Sequence, residues 1–386
     1  MTWTRSSPRI AASFALLLCT RAAAQPAPAD APPTVPAAVA VDGHVQISAA
    51  PSPPRTGWAA LPVAMYSPET SLGLGGFATH FFRFADEPTA TRPSSVSLVG
   101  LYTLKEQLIT ELIPELYWDH ERWHIWTRVD YRRYPNQLWA QGNRASASTE
   151  ERYQENRVRW QALADRAVFG NLRVEGKLEA IGMDLSDLRP GGLLDTDKLP
   201  GARGGRSIGV GAGILWDSRD HMLTPHNGDL HELALMGFGD LVGSEYSFSS
   251  ALLDLRRYIP ITATHTLALE LLSELQAGNV PFFKLATLGG EDRLRGLFEG
   301  RFRDKAMWVA QAEYRLPLIW RLSGILHAGL GQVARSAAEF GFTAPEWSLG
   351  FGGRLLLNTD ERLNLRADFG VSREGYGIYV GIGEAY

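Results

Sequence analysis

Residues 122–132 read Arg-Trp-His-Ile-Trp-Thr-Arg-Val-Asp-Tyr-Arg. In an extended chain Trp123, Ile125, Thr127, Val129 and Tyr131 fall on one side, and Arg122, His124, Trp126, Arg128, Asp130 and Arg132 on the other. Successive side chains of a strand point to opposite faces, so this stretch is a strand with one apolar and one polar face. The pattern recurs downstream. Ile208, Val210, Ala212, Ile214 and Trp216 oppose Gly209, Gly211, Gly213, Leu215, Asp217 and Arg219. Leu363, Leu365, Ala367, Phe369 and Val371 alternate with Arg362, Asn364, Arg366, Asp368 and Gly370. The final run puts Tyr376, Ile378, Val380, Ile382 and Tyr386 opposite Gly377, Tyr379, Gly381, Gly383 and Ala385.

A sandwich and a barrel share that pattern, so counting decides. Strands are expected near 57–66, 70–84, 94–104, 107–118, 122–134, 151–166, 170–184, 206–219, 228–239, 244–260, 264–277, 304–317, 321–333, 346–358, 361–373 and 375–386. Sixteen strands over residues 57–386 allow about 21 residues per strand and turn, which fits spanning strands of roughly ten residues with extensions and loops. The four longest connections (135–150, 185–205, 278–303 and 334–345) follow strands 5, 7, 11 and 13, all odd. In a barrel with periplasmic ends the odd connections face outside and are the long ones. The expected fold is all-β: a transmembrane outer-membrane β-barrel of sixteen antiparallel strands. Trp58, Tyr66, Trp118, Trp123, Trp216, Trp308, Trp347, Tyr376 and Tyr386 sit near expected strand ends, where interfacial girdles belong.

The chain of 386 residues carries 38 Lys+Arg against 42 Asp+Glu, and that balance argues against a nucleic-acid partner. The lone Cys19 excludes a disulfide framework and a thiolate metal site. Residues 1–24 read as a signal peptide: Arg5 and Arg9, an apolar core over 10–19, then Ala22-Ala23-Ala24. Bulky Leu18 before Cys19 argues against lipid acylation. Cleavage would remove Arg5, Arg9 and Arg21 and move the charge from −4 to 35 − 42 = −7. Residues 25–56 hold eight prolines and read as a periplasmic tether, ahead of a barrel over 57–386.

Residues 289–305 read Gly-Gly-Glu-Asp-Arg-Leu-Arg-Gly-Leu-Phe-Glu-Gly-Arg-Phe-Arg-Asp-Lys, and Gln311-Ala312-Glu313-Tyr314-Arg315 follows on a strand. This resembles the sixth extracellular loop of the BamA/TamA-type outer-membrane assembly factors, the bacterial surface antigen family. Leu294-Arg295-Gly296 matches the family's hydrophobic-Arg-Gly hallmark; Leu297 stands where an aromatic is expected, and Phe298 follows at once. Tyr66 to Thr70 resembles the first hairpin, and Trp216-Asp217-Ser218-Arg219-Asp220 with Pro225 and Gly228 a mid-barrel strand and turn. Arg366 to Gly370 resembles the penultimate strand, and the end of the chain, with Val380, Ile382 and Tyr386, the C-terminal signal. The tether leaves no room for the periplasmic POTRA domains of the assembly factors, so the resemblance is to truncated members without them.

The resemblance implies a long loop folded into the lumen, with Arg295 paired to Asp368 and with Glu313 as a second candidate. Alternation puts both carboxylates on the lumen face. It also implies a labile seam between first and last strands, consistent with Pro62 in strand 1 and Gly377, Gly381 and Gly383 in strand 16. The glycine face of 209, 211 and 213 could receive the ingrown loop closely, or serve sheet curvature. His120-Glu121-Arg122-Trp123-His124 matches H-E-x-x-H, which binds zinc only on a helix; on a strand the two histidines lie about 13 Å apart. Neither a G-x-S-x-G elbow nor a P-loop is present, although an exposed His231, His265 or His327 on a barrel wall leaves a lipid hydrolase open.

These readings imply a non-enzymatic outer-membrane protein without cofactor or metal. Its expected role is membrane biogenesis or homeostasis, by protein insertion, translocation or local bilayer remodelling. Partners implied are outer-membrane lipid including lipopolysaccharide, the barrel assembly machinery for its own insertion, an unfolded outer-membrane or secreted client, and a second copy as a homodimer. The alternative is a passive channel for small anionic solutes, since 33 of the 38 basic residues are arginine and several fall on polar faces. A lipid hydrolase stands third.

Overall fold

The computed structural model describes residues 56–85, 87–88, 91–341, 345–358 and 362–386, with the backbone of a hairpin pairing Ala38–Val41 and His44–Ile47. The expected signal peptide, Cys19 and the rest of the expected tether lie outside the described residues.

Alternation becomes a closed barrel. Its strands are β1 (Gly57–Ser67), β2 (Ser71–Phe82), β3 (Ser94–Thr103), β4 (Leu108–Trp118), β5 (Trp123–Leu138) and β6 (Glu151–Phe169). They continue as β7 (Leu172–Ser186), β8 (Gly205–Asp217), β9 (Gly228–Phe238), β10 (Phe248–Pro260) and β11 (Thr266–Gly278). The last are β12 (Ala306–Ile319), β13 (Leu322–Ala334), β14 (Glu346–Asn358), β15 (Leu363–Ser372) and β16 (Gly375–Ile382). Each pairs antiparallel with its neighbour, and β16 meets β1 to close the ring of sixteen. Closure removes the sheet edges that a membrane cannot satisfy. Leu74, Leu98, Tyr102, Val158, Leu235, Leu326, Leu349 and Phe351 are exposed on the outer wall. Arg128, Asp130, Glu179, Glu313, Arg354 and Asp368 are buried inside it. That is the inverse of a soluble globule and the arrangement a bilayer requires.

Two strands outrun the expectation, β5 and β6 with 16 and 19 residues, and β7 keeps its expected 15 but is shifted two residues onward. On β5, Pro135, Asn136 and Gln137 interrupt the apolar alternation without ending the ladder, as Pro135↔Gln154 and Gln154↔Ser186 register, and β6 gains Ala167, Val168 and Phe169 at its turn into β7. The connections after β5, β7, β9, β11 and β13 build one end of the barrel. There Leu138, Tyr153, Leu194, Phe238, Phe248, Val280 and Phe282 form an apolar cluster across two of those connections and four strands. The opposite, periplasmic end carries two-residue turns at 170–171 and 320–321 and two longer connections, 83–93 and 218–227.

One placement is corrected. Tyr386 does not belong to the outer face or the girdle: it is buried beside Tyr258, Ala268 and Ala385. β16 stops at Ile382, and Gly383 has φ +91°, a left-handed turn open to glycine. That turn sends the last three residues into the bore. Trp58 and Tyr376 are 74% and 72% exposed, as girdle residues should be.

Candidate functional site

The connection from β11 to β12 enters the bore. A short hairpin, Ala286–Leu288 with Phe302–Asp304, closes its base, and between its arms Leu294, Arg295 and Leu297 are buried to 0%, 1% and 1% exposure. The tip turns at Leu294 and Gly296, both with positive φ, and Leu297 N donates to Leu294 O at 3.2 Å. Glycine is required at 296 for a second reason. A Cβ there would lie 2.6 Å from the Gly370 carbonyl, and one on Gly370 would lie 2.5 Å from Arg295 O. The loop backbone thus rests directly on the backbone of β15. Tyr379 Oη accepts from Gly296 N at 3.0 Å, Ser372 Oγ donates to Gly296 O at 2.9 Å, and Gln311 Oε1 accepts from Leu294 N at 3.2 Å. Ser348 Oγ donates to Arg295 O.

The Arg295 fork bridges two walls. Nη1 donates to Asp368 Oδ2 on β15 and Nη2 to Glu313 Oε2 on β12, each at 2.8 Å. Arg315 Nε donates to the other Glu313 oxygen at 2.8 Å. Arg354 bonds both oxygens of Asp368, and its Nε reaches Glu384 Oε2 at 2.7 Å. Asn364 completes the Glu384 carboxylate at 2.8 Å. Three guanidinium groups face three carboxylates, 3 − 3 = 0, all six buried. Desolvating isolated charges is costly; a neutral cluster with multidentate bonds offsets much of that cost. Glu69, in the β1–β2 turn, accepts from Glu299 N at 2.9 Å, and burial pushes its carboxyl above the usual range.

The structure brings Arg295, Asp368 and Glu313 together. Leu294 and Leu297 join an apolar cluster with Leu288, Phe302 and Val333, while Phe298 takes the ring contact, edge-on to Trp139 at 5.5 Å. Sequence reasoning missed Arg315, Arg354 and Glu384. Arg315 had a signal, since it lies two residues from Glu313 and so on the same face. Arg354 also alternates inward, but its partner Glu384 lies beyond the strand end, where periodicity says nothing. At the seam Gly377 and Gly381 face inward on β16, Gly383 lies past it, and Pro62 registers with Gly76 of β2. β16 and β1 register at the single pair Val380↔Tyr66, against eight pairs between β16 and β15.

Two further expectations are corrected. The glycine face of β8 does not receive the loop: a Cβ on Gly209 would meet the Phe238 ring, one on Gly211 the Leu235 carbonyl and Met236, and one on Gly213 Glu175, all of the barrel wall. The glycines that admit the loop are Gly329, Gly331 and Gly370, where Leu294, Leu288 and the Arg295 backbone would collide with added side chains. His327 is buried rather than exposed, with Nε2 3.2 Å from Phe369 O, and His265 Nδ1 lies 2.7 Å from Tyr314 Oη. Asp119, His120 and Glu121 form a left-handed turn and His124 is the second residue of β5, so the H-E-x-x-H residues share no helix. His124 instead lies between Asp165 at 2.6 Å and Glu115 at 3.2 Å.

The Omp85 superfamily domain matches residues 115–386. No curated protein sequence matches significantly. Among solved structures, BamA from Haemophilus ducreyi lacking POTRA domains 1–3 aligns with TM-score 0.61 and 13% identity, over 90% of this chain and 74% of that one. CdiB from Acinetobacter baumannii aligns at 0.58 and 13%, over 91% and 66%, and CdiB from Escherichia coli at 0.59 and 11%, over 90% and 67%. The chain belongs to the Omp85 superfamily of outer-membrane β-barrels, and its barrel shares the fold of BamA and CdiB.

Proposed function

We propose that the barrel acts in outer-membrane biogenesis or homeostasis, inserting or translocating an unfolded protein client at a weak seam while loop 279–305 plugs the bore. The seam carries this reading. β1 registers with β2 at eleven positions but with β16 at one. The facing edges therefore hold backbone donors and acceptors that an incoming strand can take up. Pro62 removes one donor from the β1 edge. Within the Arg295 network three guanidinium groups face three carboxylates, so that part of the bore offers a passive channel no excess positive charge.

A reversible lock tests the proposal. Tyr66→Cys with Val380→Cys, in a Cys19→Ser background, places a disulfide at the one register pair. Proteoliposomes holding the variant are offered a urea-unfolded outer-membrane barrel, and insertion is read by the client's heat-modifiable gel mobility. Insertion in the reduced but not the oxidised state supports the seam. Equal insertion in both states excludes it, and solute swelling without insertion would favour a channel.

A further inference from the structure

The β8–β9 connection, residues 218–227, is long for a periplasmic turn and does not hang free. It is internally braced: Asp220 Oδ1 accepts from His226 N at 2.8 Å and Asn227 N at 3.0 Å, and Asp220 N donates to Asn227 O at 3.0 Å. Arg219 grips Asp217 at 2.8–2.9 Å and the Met222 carbonyl at 3.1 Å. From that base it reaches across the mouth. His226 Nδ1 meets Thr266 Oγ1 at the start of β11. Pro225 O accepts from Arg315 Nη1 of β12 at 3.3 Å. Thr224 Oγ1 donates to Arg362 O, and Arg362 Nη1 lies 3.3 Å from Asp220 Oδ2, in the turn between β14 and β15. The connection therefore spans the mouth past β10, β11, β12 and β13. Pro225 of the connection is buried, and with Glu384 it lines both flanking cavities, of about 430 and 270 Å³.

We propose that residues 218–227 are a strap that closes the bore from the periplasmic end, opposite the luminal loop, and that Arg315 ties the two closures together. Arg315 is the shared member. Its Nε holds Glu313, the carboxylate that binds Arg295, and its Nη1 holds the strap at Pro225. Its Nη2 binds Tyr386 O at 2.9 Å, fixing the inturned end of the chain against the strap. Displacing the strap withdraws one of the bonds that orient Arg315 toward Glu313, so the loop is seated less firmly; by reciprocity a displaced loop loosens the strap. A client or solute must clear both closures to pass.

The proposal rests on reading loop 279–305 as a plug, and one experiment separates the two. Leu288 and Phe302 are register partners, so residues 289–301 can be replaced by Asn-Gly, a two-residue hairpin turn. This excision is combined with Thr224→Cys and Arg362→Cys, in a Cys19→Ser background, joined by a short reducible bis-thiol cross-linker. Conductance is recorded in a planar bilayer on the same channels before and after reduction, which removes folding differences from the comparison. A strap that gates gives a rise in conductance on reduction, from near that of the intact chain to that of an open bore. Equal conductance with the strap locked and free, well above that of the intact chain, overturns the strap and leaves the plug standing. A bore that stays silent in both states overturns the plug, and the strap with it.

Discussion

Replacing Arg295 with alanine should release the luminal loop, and its cost can be worked from the network. With Arg295 in place three guanidinium groups balance Glu313, Asp368 and Glu384; without it the balance is 2 − 3 = −1. Removing one partner of a buried pair costs about 3–5 kcal/mol, because the other charge is stranded. Here Glu313 retains Arg315 at 2.8 Å and Asp368 retains Arg354, which argues for the lower end, about 3 kcal/mol. At tenfold per 1.4 kcal/mol, the unseated population rises by about 140-fold. Trypsin reports it. Arg301 and Arg303, 5% and 7% exposed in the seated loop, become cleavable only when it opens. Where opening and closing outpace cleavage, the rate tracks the open population. Cleavage within 279–305 should therefore accelerate by roughly two orders of magnitude while peptides from β1–β4 stay intact. Arg295→Lys should fall between, since one ammonium cannot reproduce a fork that holds two strands and forfeits about 1.5–3 kcal/mol of charge-assisted bonding. A rate for Arg295→Ala within about twofold of the parent would refute the account of the network as the force seating the loop.

The same cleavage assay reads three other changes. Glu313→Gln added to Arg295→Ala restores neutrality, 2 − 2 = 0, so the double variant should be less destabilised than the sum of the singles by about 0.5–3 kcal/mol; strict additivity would count against a shared network. Gly370→Ala sets a Cβ 2.5 Å from Arg295 O and should cost about 1–3 kcal/mol of seating, whereas Gly353→Ala, with nothing within 4 Å, should leave the rate unchanged. Tyr379→Phe strands the buried Gly296 N–H and should cost about 1–3 kcal/mol; an unaltered rate would show that the tip has another acceptor. Glu69 gives a pH prediction. Burial raises its folded pKa above the ordinary 4.5, so its contribution to seating is complete below the unfolded value and fades as pH rises through the folded one. Exchange of the Glu299 amide, corrected for intrinsic pH dependence, should quicken over that rise in the parent. Glu69→Gln keeps the acceptor and should flatten the profile; an identical profile in both would remove Glu69 from the seat.

All sixteen barrel strands were legible because each carries its lipid and lumen faces in strict alternation, a pattern that needs no tertiary knowledge. Legibility ended where the environment stopped alternating. At the end of β5, Pro135, Asn136 and Gln137 interrupt the apolar alternation, so the strand continues unseen past Tyr134. At the chain end the apolar period runs through Ile382 to Tyr386, yet Gly383 takes a left-handed conformation and turns the last residues inward, which periodicity cannot register. The glycines facing the loop show a different limit. Gly209, Gly211 and Gly213 look like a cradle as readily as Gly329, Gly331 and Gly370 do; only closure of the ring decides which wall lies beside the loop. Arg315 was available from its spacing to Glu313, but its reach to Pro225 and Tyr386 joins segments 90 and 71 residues apart.

The excess of arginine over lysine, 33 of 38 basic residues, fits this geometry better than it fits anion selection. A lysine offers one point charge and could not span two strands at fixed angles; the arginine fork does so with bonds in a plane. Arg295 joins β12 to β15, and Arg354 on β14 reaches Asp368 on β15 and Glu384 beyond β16. On the other wall Arg157 and Arg159 of β6 both close on Asp130 of β5, at 3.0 and 2.7 Å. Each of these bonds ties neighbouring or opposing strands across a bore too wide for apolar side chains to fill. A barrel with a one-pair seam needs such ties, since the ladder itself does not hold β1 to β16. The arginines are thus distributed unevenly: they tie the walls together, and they are absent from the register pair Val380↔Tyr66, where the proposed opening would occur. Introducing a cross-seam ion pair at outward Tyr66 and Val380 should therefore suppress client insertion as the disulfide does, but in a way that rising salt relieves; suppression insensitive to salt would mean that the seam acts through shape and not through the strength of its pairing.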